Sequence, residues 1–308
     1  TLGERLPAME ALPGRGNPMK RLISLLFHDV YVREPCESGF DGAAAERYKI
    51  PVRDLDAYLA VLDSALESRP ILAPDDLENA PVAGLPVAIT VDDGGVSYHG
   101  IVAERLEERG WRGHCFVTTS CIGRRGFLDK AQLRDLHERG HILGSHSVSH
   151  RSHLAQCAPE LIHREWADSR KCLEDLLGAA VTCASVPGGY YGPRVAREAA
   201  RAGLEVLFTS EPNTAKRTVA GCMVMGRFTV RRGFAPQYVR RLATGDSGAR
   251  ARERVVWQGK KSLKGVMGGL YPLLSERVQR RRTAVRSPQG SEFGRSWPRT
   301  RDDLEGEE

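Results

Sequence analysis

The 308-residue sequence has no run of about 18 consecutive apolar residues, so it offers no candidate for a membrane-spanning helix. Its start shows no charged segment followed by an apolar core, which predicts a cytoplasmic location; because the chain begins at Thr1 rather than Met, a trimmed leader stays open. The seven cysteines include no Cys-x-x-Cys pair, and this scatter argues against both a disulfide framework and a thiolate metal centre.

Excess basic charge is also missing from most of the chain, although the whole sequence carries a net charge of +6. Residues 246–308 hold 14 Lys and Arg against 9 Asp and Glu, whereas the preceding residues hold 31 against 30. A near-neutral domain lacks the positive field on which nucleic-acid binding depends, so we predict no nucleic-acid partner. The basic stretch 250–286 is predicted to be a solvated helix, with weak contact to an anionic polymer or membrane surface as the alternative.

Between residues 20 and 245, short apolar segments alternate with amphipathic segments of ten to twenty residues. This alternation is typical of βα units and predicts an α/β fold, a distorted (β/α) barrel of about seven parallel strands. Residues 1–19, rich in Gly and Pro, are predicted to be an irregular arm, and residues 246–286 a basic, partly helical extension. The composition of residues 287–308 predicts a disordered tail.

Two adjacent carboxylates, Asp92 and Asp93, close the apolar segment at residues 86–91. Like charges at the mouth of a buried strand are costly, because they repel each other and burial disfavours both. Such a pair is tolerated mainly where a cation lies beside it or where one carboxylate acts as a base. The pair therefore points to a catalytic metal site.

The second cluster is His-Ser-Val-Ser-His at residues 146–150, which follows the apolar segment at residues 142–144. Because the carboxyl ends of parallel strands meet at one edge of a sheet, we expect this cluster to lie near the two carboxylates. One carboxylate and two imidazoles suit a divalent ion such as zinc and leave positions open for water and substrate. We predict Asp93, His146 and His150 as the ligands and Asp92 as the general base.

Three segments, Thr-Val-Asp-Asp-Gly at 90–94, His-Ser-Val-Ser-His at 146–150 and Pro-Gly-Gly at 187–189, resemble a known set of motifs in order and spacing. They are similar to the first three motifs of the polysaccharide deacetylases, the NodB-homology group of carbohydrate esterase family 4. The resemblance covers about residues 21–245. It implies a distorted barrel that removes acetyl groups from N-acetylated sugars with a divalent metal, most often zinc, with cobalt, nickel or manganese as other ions.

The resemblance also implies roles for individual residues. Asp92 would be the base, and Asp93, His146 and His150 the metal ligands. The segment Gly188, Gly189 and Tyr190 would contact the substrate and donate a backbone N–H to the oxyanion.

The sequence departs from the family at three points. Ser185 stands where the family has an Arg that orients the catalytic Asp, and Gly188 stands where it has an aromatic residue. No histidine follows His163, so the late Leu-His that supplies the general acid is absent. The segment Leu-Leu-Phe-His-Asp-Val at 25–30, however, resembles that of the exopolysaccharide (poly-N-acetylglucosamine) deacetylases, whose late motifs are permuted to the front. This implies His28 as the acid; a strand-end histidine bonded to a carbonyl is the alternative.

Two further hypotheses concern neighbours of these motifs. Asp29 is a candidate to orient His28, and Glu165 and Asp168 are predicted to lie on the solvated face of a helix.

The function predicted is that of an enzyme, a metal-dependent de-N-acetylase with an N-acetylated carbohydrate as its partner. An amidohydrolase on a non-sugar amide and a non-catalytic carbohydrate-binding relative are the alternatives. The sequence leaves the oligomeric state open.

Overall fold

Short strands alternate with helices in the structure, a computed structural model that describes residues 21–66 and 86–266 and the side chains as far as residue 259. Nine strands of this described part pair into one sheet, and two more form a small ribbon. The strands are β1 (Ile23–Phe27), β2 (Val30–Tyr31), β3 (Ile50–Pro51), β4 (Val87–Val91), β5 (His114–Val117), β6 (Ile142–Ser145), β7 (Cys183–Ser185), β8 (Val206–Phe208), β9 (Lys216–Val219), β10 (Cys222–Met225) and β11 (Phe228–Thr229).

The sheet runs in the order β11-β1-β4-β5-β6-β7-β8-β10-β9, and β9 alone is antiparallel to its neighbour. It curls into a half-barrel, which confirms the predicted (β/α) barrel. In the parallel pairs Phe27 lies opposite Val91 and Val117 opposite Ser145, so the residues that follow these strands emerge at one edge. That edge carries all the predicted polar clusters.

Helices alternate with these strands. They are α1 (Ala43–Glu46), α2 (Val52–Asp63), α3 (Glu104–Glu107), α4 (Lys130–Glu138), α5 (Pro159–Leu177), α6 (Pro193–Arg201), α7 (Pro236–Ala243) and α8 (Ser247–Val266), with a π-helical turn at Tyr98–Ala103 that runs into α3. Asp129 caps α4, since its carboxylate accepts a hydrogen bond from the Gln132 backbone N–H. Gly178 ends α5 in the left-handed conformation.

Apolar side chains cover both faces of the central strands. Alternate residues of β1, Ile23, Leu25 and Phe27, pack under the helices together with Leu59 of α2. The opposite face of the sheet has its own cluster, which contains no helix residue and therefore fills the inside of the half-barrel. Its members are Leu22, Ala88, Phe116, Cys183, Val206, Phe208 and Met225. Because both faces are buried, the strands read as nearly continuous apolar runs in the sequence.

The structure differs from the sequence prediction between residues 210 and 260. Strands β9 to β11 and helix α7 were not predicted, because each spans only two to eight residues. One compact unit covers residues 1–260, and within it Tyr238 and Arg231 donate hydrogen bonds to Glu253 of α8. The arm at 1–19, the tail at 287–308 and most of the basic extension lie outside the described residues.

A second unit covers residues 261–308, of which the described part contains only the end of α8. Among the described helices, none combines the length and the hydropathy that crossing a membrane would require.

Candidate active site

The candidate metal ligands follow two strands that are separated in the sheet by β5. Asp93 comes two residues after the end of β4, and His146 directly follows β6. Asp93 has φ 78° and His150 has φ 54°, a left-handed backbone that L-residues rarely adopt. Such conformations cost energy and persist where the surrounding structure enforces them, which is common at functional sites.

The structure brings the three predicted ligands together. Asp93 Oδ1 lies 3.4 Å from His146 Nε2 and 3.4 Å from His150 Nε2, and one donor atom from each residue lies within 4.8 Å of the others. Asp93 Oδ1 is buried and makes no hydrogen bond within the described residues. A buried carboxylate oxygen that faces two imidazole nitrogens without a hydrogen bond fits a divalent cation.

Backbone contacts fix the orientation of His146. Its Nδ1 lies 2.9 Å from the carbonyl oxygen of Ser185, which can only accept, so Nδ1 carries the hydrogen and Nε2 presents its lone pair toward Asp93. Burial would raise the pKa of Asp93, but the His146 and His150 imidazoles hold it well below its usual value. Burial alone would lower the pKa of His150, but the contact with Asp93 raises it above its usual value.

Asp92 lies beside this cluster and is held by a guanidinium. Arg227 donates from Nη1 to Asp92 Oδ1 at 2.7 Å and from Nη2 to Oδ2 at 2.8 Å, a bidentate pair. Ser185 Oγ donates to the same Oδ2 at 3.0 Å. Burial would raise the pKa of Asp92, but Arg227 brings it below the usual value. Asp92 is therefore ionised at neutral pH and fixed in direction.

Arg227 is the residue that sequence reasoning missed. It follows β10 by two residues, is fully buried, and makes the contact to Asp92 that the resemblance had led us to expect from an Arg at the position of Ser185. Its Nε donates to the Thr209 carbonyl, and the guanidinium lies over Phe116 and Phe208 inside the barrel. The available signal was its place after the apolar segment at residues 222–225, the same pattern that led to Asp92.

His28 follows β1 directly, and β1 pairs with β4, so His28 and Asp92 emerge next to each other; the Asp92 N–H donates to the Phe27 carbonyl. The His28 ring stacks on Tyr48 with centroids 4.9 Å apart, and its Nδ1 makes no hydrogen bond within the described residues. Burial lowers the pKa of His28, while the nearby Asp93 and Asp92 raise it. The acid role of His28 stays a prediction that this placement permits.

Asp29 does not bond to His28, so the hypothesis that Asp29 orients His28 is wrong. Its Oδ1 accepts hydrogen bonds from Ser38 Oγ at 2.7 Å and Ser97 Oγ at 3.3 Å, and the described residues contain no bond from Asp29 to the imidazole. A Cβ at Gly95 would lie 1.6 Å from Asp29 Oδ1, so this glycine makes room for the carboxylate. Burial, and then the negative charge of Asp93, raise the pKa of Asp29 to about 7.

The Pro187–Gly189 turn follows β7 and contacts the loop beyond His150. Gly188 has φ 63°, and a Cβ there would lie 2.8 Å from Ser152 Cα, so only glycine fits. The Tyr190 ring lies 4.3 Å from the His153 ring, centroid to centroid. The turn thus borders the histidine loop, while the oxyanion and substrate roles of Gly188, Gly189 and Tyr190 remain predictions.

Glu165 is buried, at 5% exposure, so its prediction as a solvated residue is wrong; Asp168 is exposed as predicted. The Glu165 carboxylate accepts from the Ser149 N–H at 2.9 Å, the Ser149 hydroxyl at 2.5 Å and Arg151 Nε at 3.2 Å. Burial would raise the pKa of Glu165, but the Ser149 bonds hold it below the usual value. The polar pattern of α5 could not reveal this contact, because a polar residue reads the same in solvent and against a loop.

Comparisons with known proteins agree with this geometry. The family model named polysaccharide deacetylase matches residues 80–207. The Bacillus subtilis (strain 168) protein YxkH, which is named for the same family, is 28% identical over 131 residues, which are 42% of this chain and 47% of YxkH. The chain thus spans about half the length of this relative.

Two solved structures share the fold. The Streptococcus pyogenes deacetylase PplD, in complex with acetate, superposes with a TM-score of 0.62 at 20% identity and covers 72% of this chain and 98% of its own. IcaB from Ammonifex degensii superposes with a TM-score of 0.58 at 20% identity and covers 73% and 96%. At 20% identity these two likenesses show the fold alone, and the family match covers residues 80–207.

Proposed function

Because the chain carries a polysaccharide deacetylase domain of the NodB type, we propose that it is a metal-dependent hydrolase that removes N-acetyl groups from an N-acetylated amino-sugar polymer and releases acetate. One observation carries the proposal: a fixed, ionised Asp92 lies beside an Asp-His-His cluster at the carboxyl edge of the sheet. A base next to a facial set of metal ligands is the minimum equipment for metal-assisted amide hydrolysis.

Asp93, His146 and His150 would hold the cation. When bound, a divalent cation supplies a Lewis acid that polarises the acetamide carbonyl and lowers the pKa of a water molecule. Zinc is the proposed ion because the donor set combines two neutral imidazoles with one carboxylate. Cobalt, nickel and manganese are alternatives that binding measurements would rank.

Asp92 would take the proton from the attacking water. Its Oδ2 lies 3.9 Å from His146 Nε2, so the carboxylate borders the ligand shell. Arg227 keeps it ionised and prevents rotation, because both carboxylate oxygens are bonded. A residue held in this way meets the positional requirement for a general base.

His28, which emerges next to Asp92, would protonate the departing amine. Burial makes its imidazolium more acidic than usual, which favours release of the proton. The two missing family features, the orienting Arg and the late His, were the argument for a non-catalytic relative. In this chain Arg227 holds Asp92 as an orienting Arg would, which supports the catalytic reading. The placement of His28 next to Asp92 supports His28 as a replacement for the late His.

The test is acetate release from N-acetylglucosamine oligomers by the purified chain with zinc or cobalt. We expect activity in the wild type and a loss of about 10²-fold or more in Asp92→Asn, which removes the base. An Asp168→Asn variant serves as the matched control, since that side chain is exposed on α5. Full activity in Asp92→Asn would refute the mechanism. Metal binding without acetate release would favour the carbohydrate-binding relative, and activity on a small non-sugar amide alone would favour the amidohydrolase.

A further inference from the structure

Helix α5 contacts the histidine loop at two points. Ser145 Oγ donates to Ser169 Oγ at 2.7 Å, and Ser149 donates to Glu165 from both its backbone N–H and its hydroxyl. Glu165 and Ser169 are four residues apart on α5 and therefore lie on one face of the helix. Both are at most 5% exposed, so this face is a buried polar stripe against the loop.

Each contact falls directly before a metal ligand. Ser145 precedes His146 and Ser149 precedes His150. Between them Ser147, with φ 64°, links the two halves: its N–H donates to Ser145 Oγ, and its hydroxyl accepts from the His150 N–H.

The His150 backbone also requires external support. Ser147 and His150 both have left-handed φ values, which L-residues adopt only when other contacts enforce them. Glu165 accepts three hydrogen bonds, two of them from the residue before His150 and one from Arg151, the residue after it. A carboxylate that bonds to both sides of a strained ligand determines where that ligand's imidazole points.

We infer that Glu165 is a positioning residue of the metal site, which holds His150 within reach of Asp93 from outside the ligand shell. The inference rests on the metal site of the proposed function and adds to it a residue on α5 that bonds to Ser149 and Arg151, on either side of His150. Hydrogen bonds to the ionised carboxylate are stronger than those to a neutral amide, so charge at Glu165 contributes to the effect.

The experiment measures metal binding rather than turnover. Glu165→Gln keeps the size of the side chain but removes its charge, and Asp168→Asn makes the same change on the exposed face of the same helix. We would measure Co²⁺ affinity by competition with a chelator, the visible absorption of bound Co²⁺, and the melting temperature of the metal-free protein. We expect Glu165→Gln to bind Co²⁺ about 10–100-fold more weakly with an altered spectrum, and Asp168→Asn to match the wild type.

The outcomes separate this inference from the proposed function. If the wild type itself binds no Co²⁺, the proposed metal site fails and the inference fails with it. If the wild type binds and Glu165→Gln binds with equal affinity and an identical spectrum, only the positioning role is refuted. A lower melting temperature with unchanged Co²⁺ affinity would also refute it, since the role would then be structural only.

Ser149→Ala provides a second variant should Glu165→Gln fail to fold. It removes the hydroxyl bond to Glu165 and leaves the backbone bond in place. We expect a smaller loss of Co²⁺ affinity in the same direction, and wild-type affinity in a folded Ser149→Ala protein would count against the inference.

Discussion

Replacing Arg227 tests how the buried Asp92 is kept charged. Arg227 is fully buried, and besides its two bonds to Asp92 it donates to the Thr209 carbonyl and to Ser185 Oγ. Arg227→Met preserves much of the apolar stem but leaves Asp92 without its cation. Removing one partner of a buried ion pair typically costs about 3–5 kcal/mol, because the remaining charge stays buried. At about 2–4 °C per kcal/mol this corresponds to a drop of roughly 6–20 °C in melting temperature.

The loss of stability in Arg227→Met should depend on pH in a defined direction. The pKa of Asp92 lies below its ordinary value of 3.8 in the folded wild type, so the pair stabilises the protein above that value and the contribution is lost as pH falls through the lowered pKa. In Arg227→Met the guanidinium no longer opposes burial, which raises the pKa of Asp92, and only the smaller opposing effects of His146 and His28 remain. The difference in stability between the two proteins should therefore be largest near pH 7 and shrink toward acid pH.

Urea unfolding of the metal-free proteins at several pH values measures this difference. Arg217→Met is the control, since Arg217 is half exposed and pairs with Glu211 at the surface, where an ion pair contributes about 0–1 kcal/mol. A loss below about 1 kcal/mol in Arg227→Met at pH 7, or a loss that grows toward acid pH, would refute the reasoning.

Three further predictions concern the metal, the acid and the buried carboxylate. Zn²⁺ at about 100 times its dissociation constant should stabilise the protein by about 2.7 kcal/mol in urea unfolding, and His150→Ala should abolish this gain; a gain retained in the variant would contradict the ligand assignment. Burial lowers the pKa of His28, so activity should fall as pH rises through this lowered pKa, and His28→Gln should lose this alkaline limb in the rate profile. The pKa of Asp29 is raised to about 7, so the folded state binds its proton more tightly than the unfolded state does. The stability that protonated Asp29 contributes is therefore complete below about pH 4 and is lost as pH rises toward 7. Asp29→Asn should remove this decline between pH 4 and 7, and an unchanged decline would show that Asp29 is not its source.

The sequence was sufficient for the parts of the site that lie at the ends of well-patterned strands. Asp92 and Asp93 follow the mostly apolar strand β4, and the histidine segment follows β6, so strand order alone brought them together. Arg227 could not be paired with Asp92 in this way, because the two are 135 positions apart and strands β10 and β11 are too short to show a period. Glu165 was missed for a different reason: hydrophobic patterning identifies the apolar face of a helix but does not distinguish a solvated carboxylate from one that accepts hydrogen bonds from a loop.

The position of β1 between β4 and β11 has a consequence for synthesis of the chain. Of the described strands β1 is synthesised first, yet one of its neighbours is made after a long connection and the other only at Phe228–Thr229. Arg227 immediately precedes that last strand, so the buried charge of Asp92 has no guanidinium until nearly the whole domain has been translated. Pairings of this sequence separation are slow to form and leave strand edges exposed meanwhile. We therefore expect nascent chains that end before residue 227 to be recognised by chaperones and to remain unable to fold.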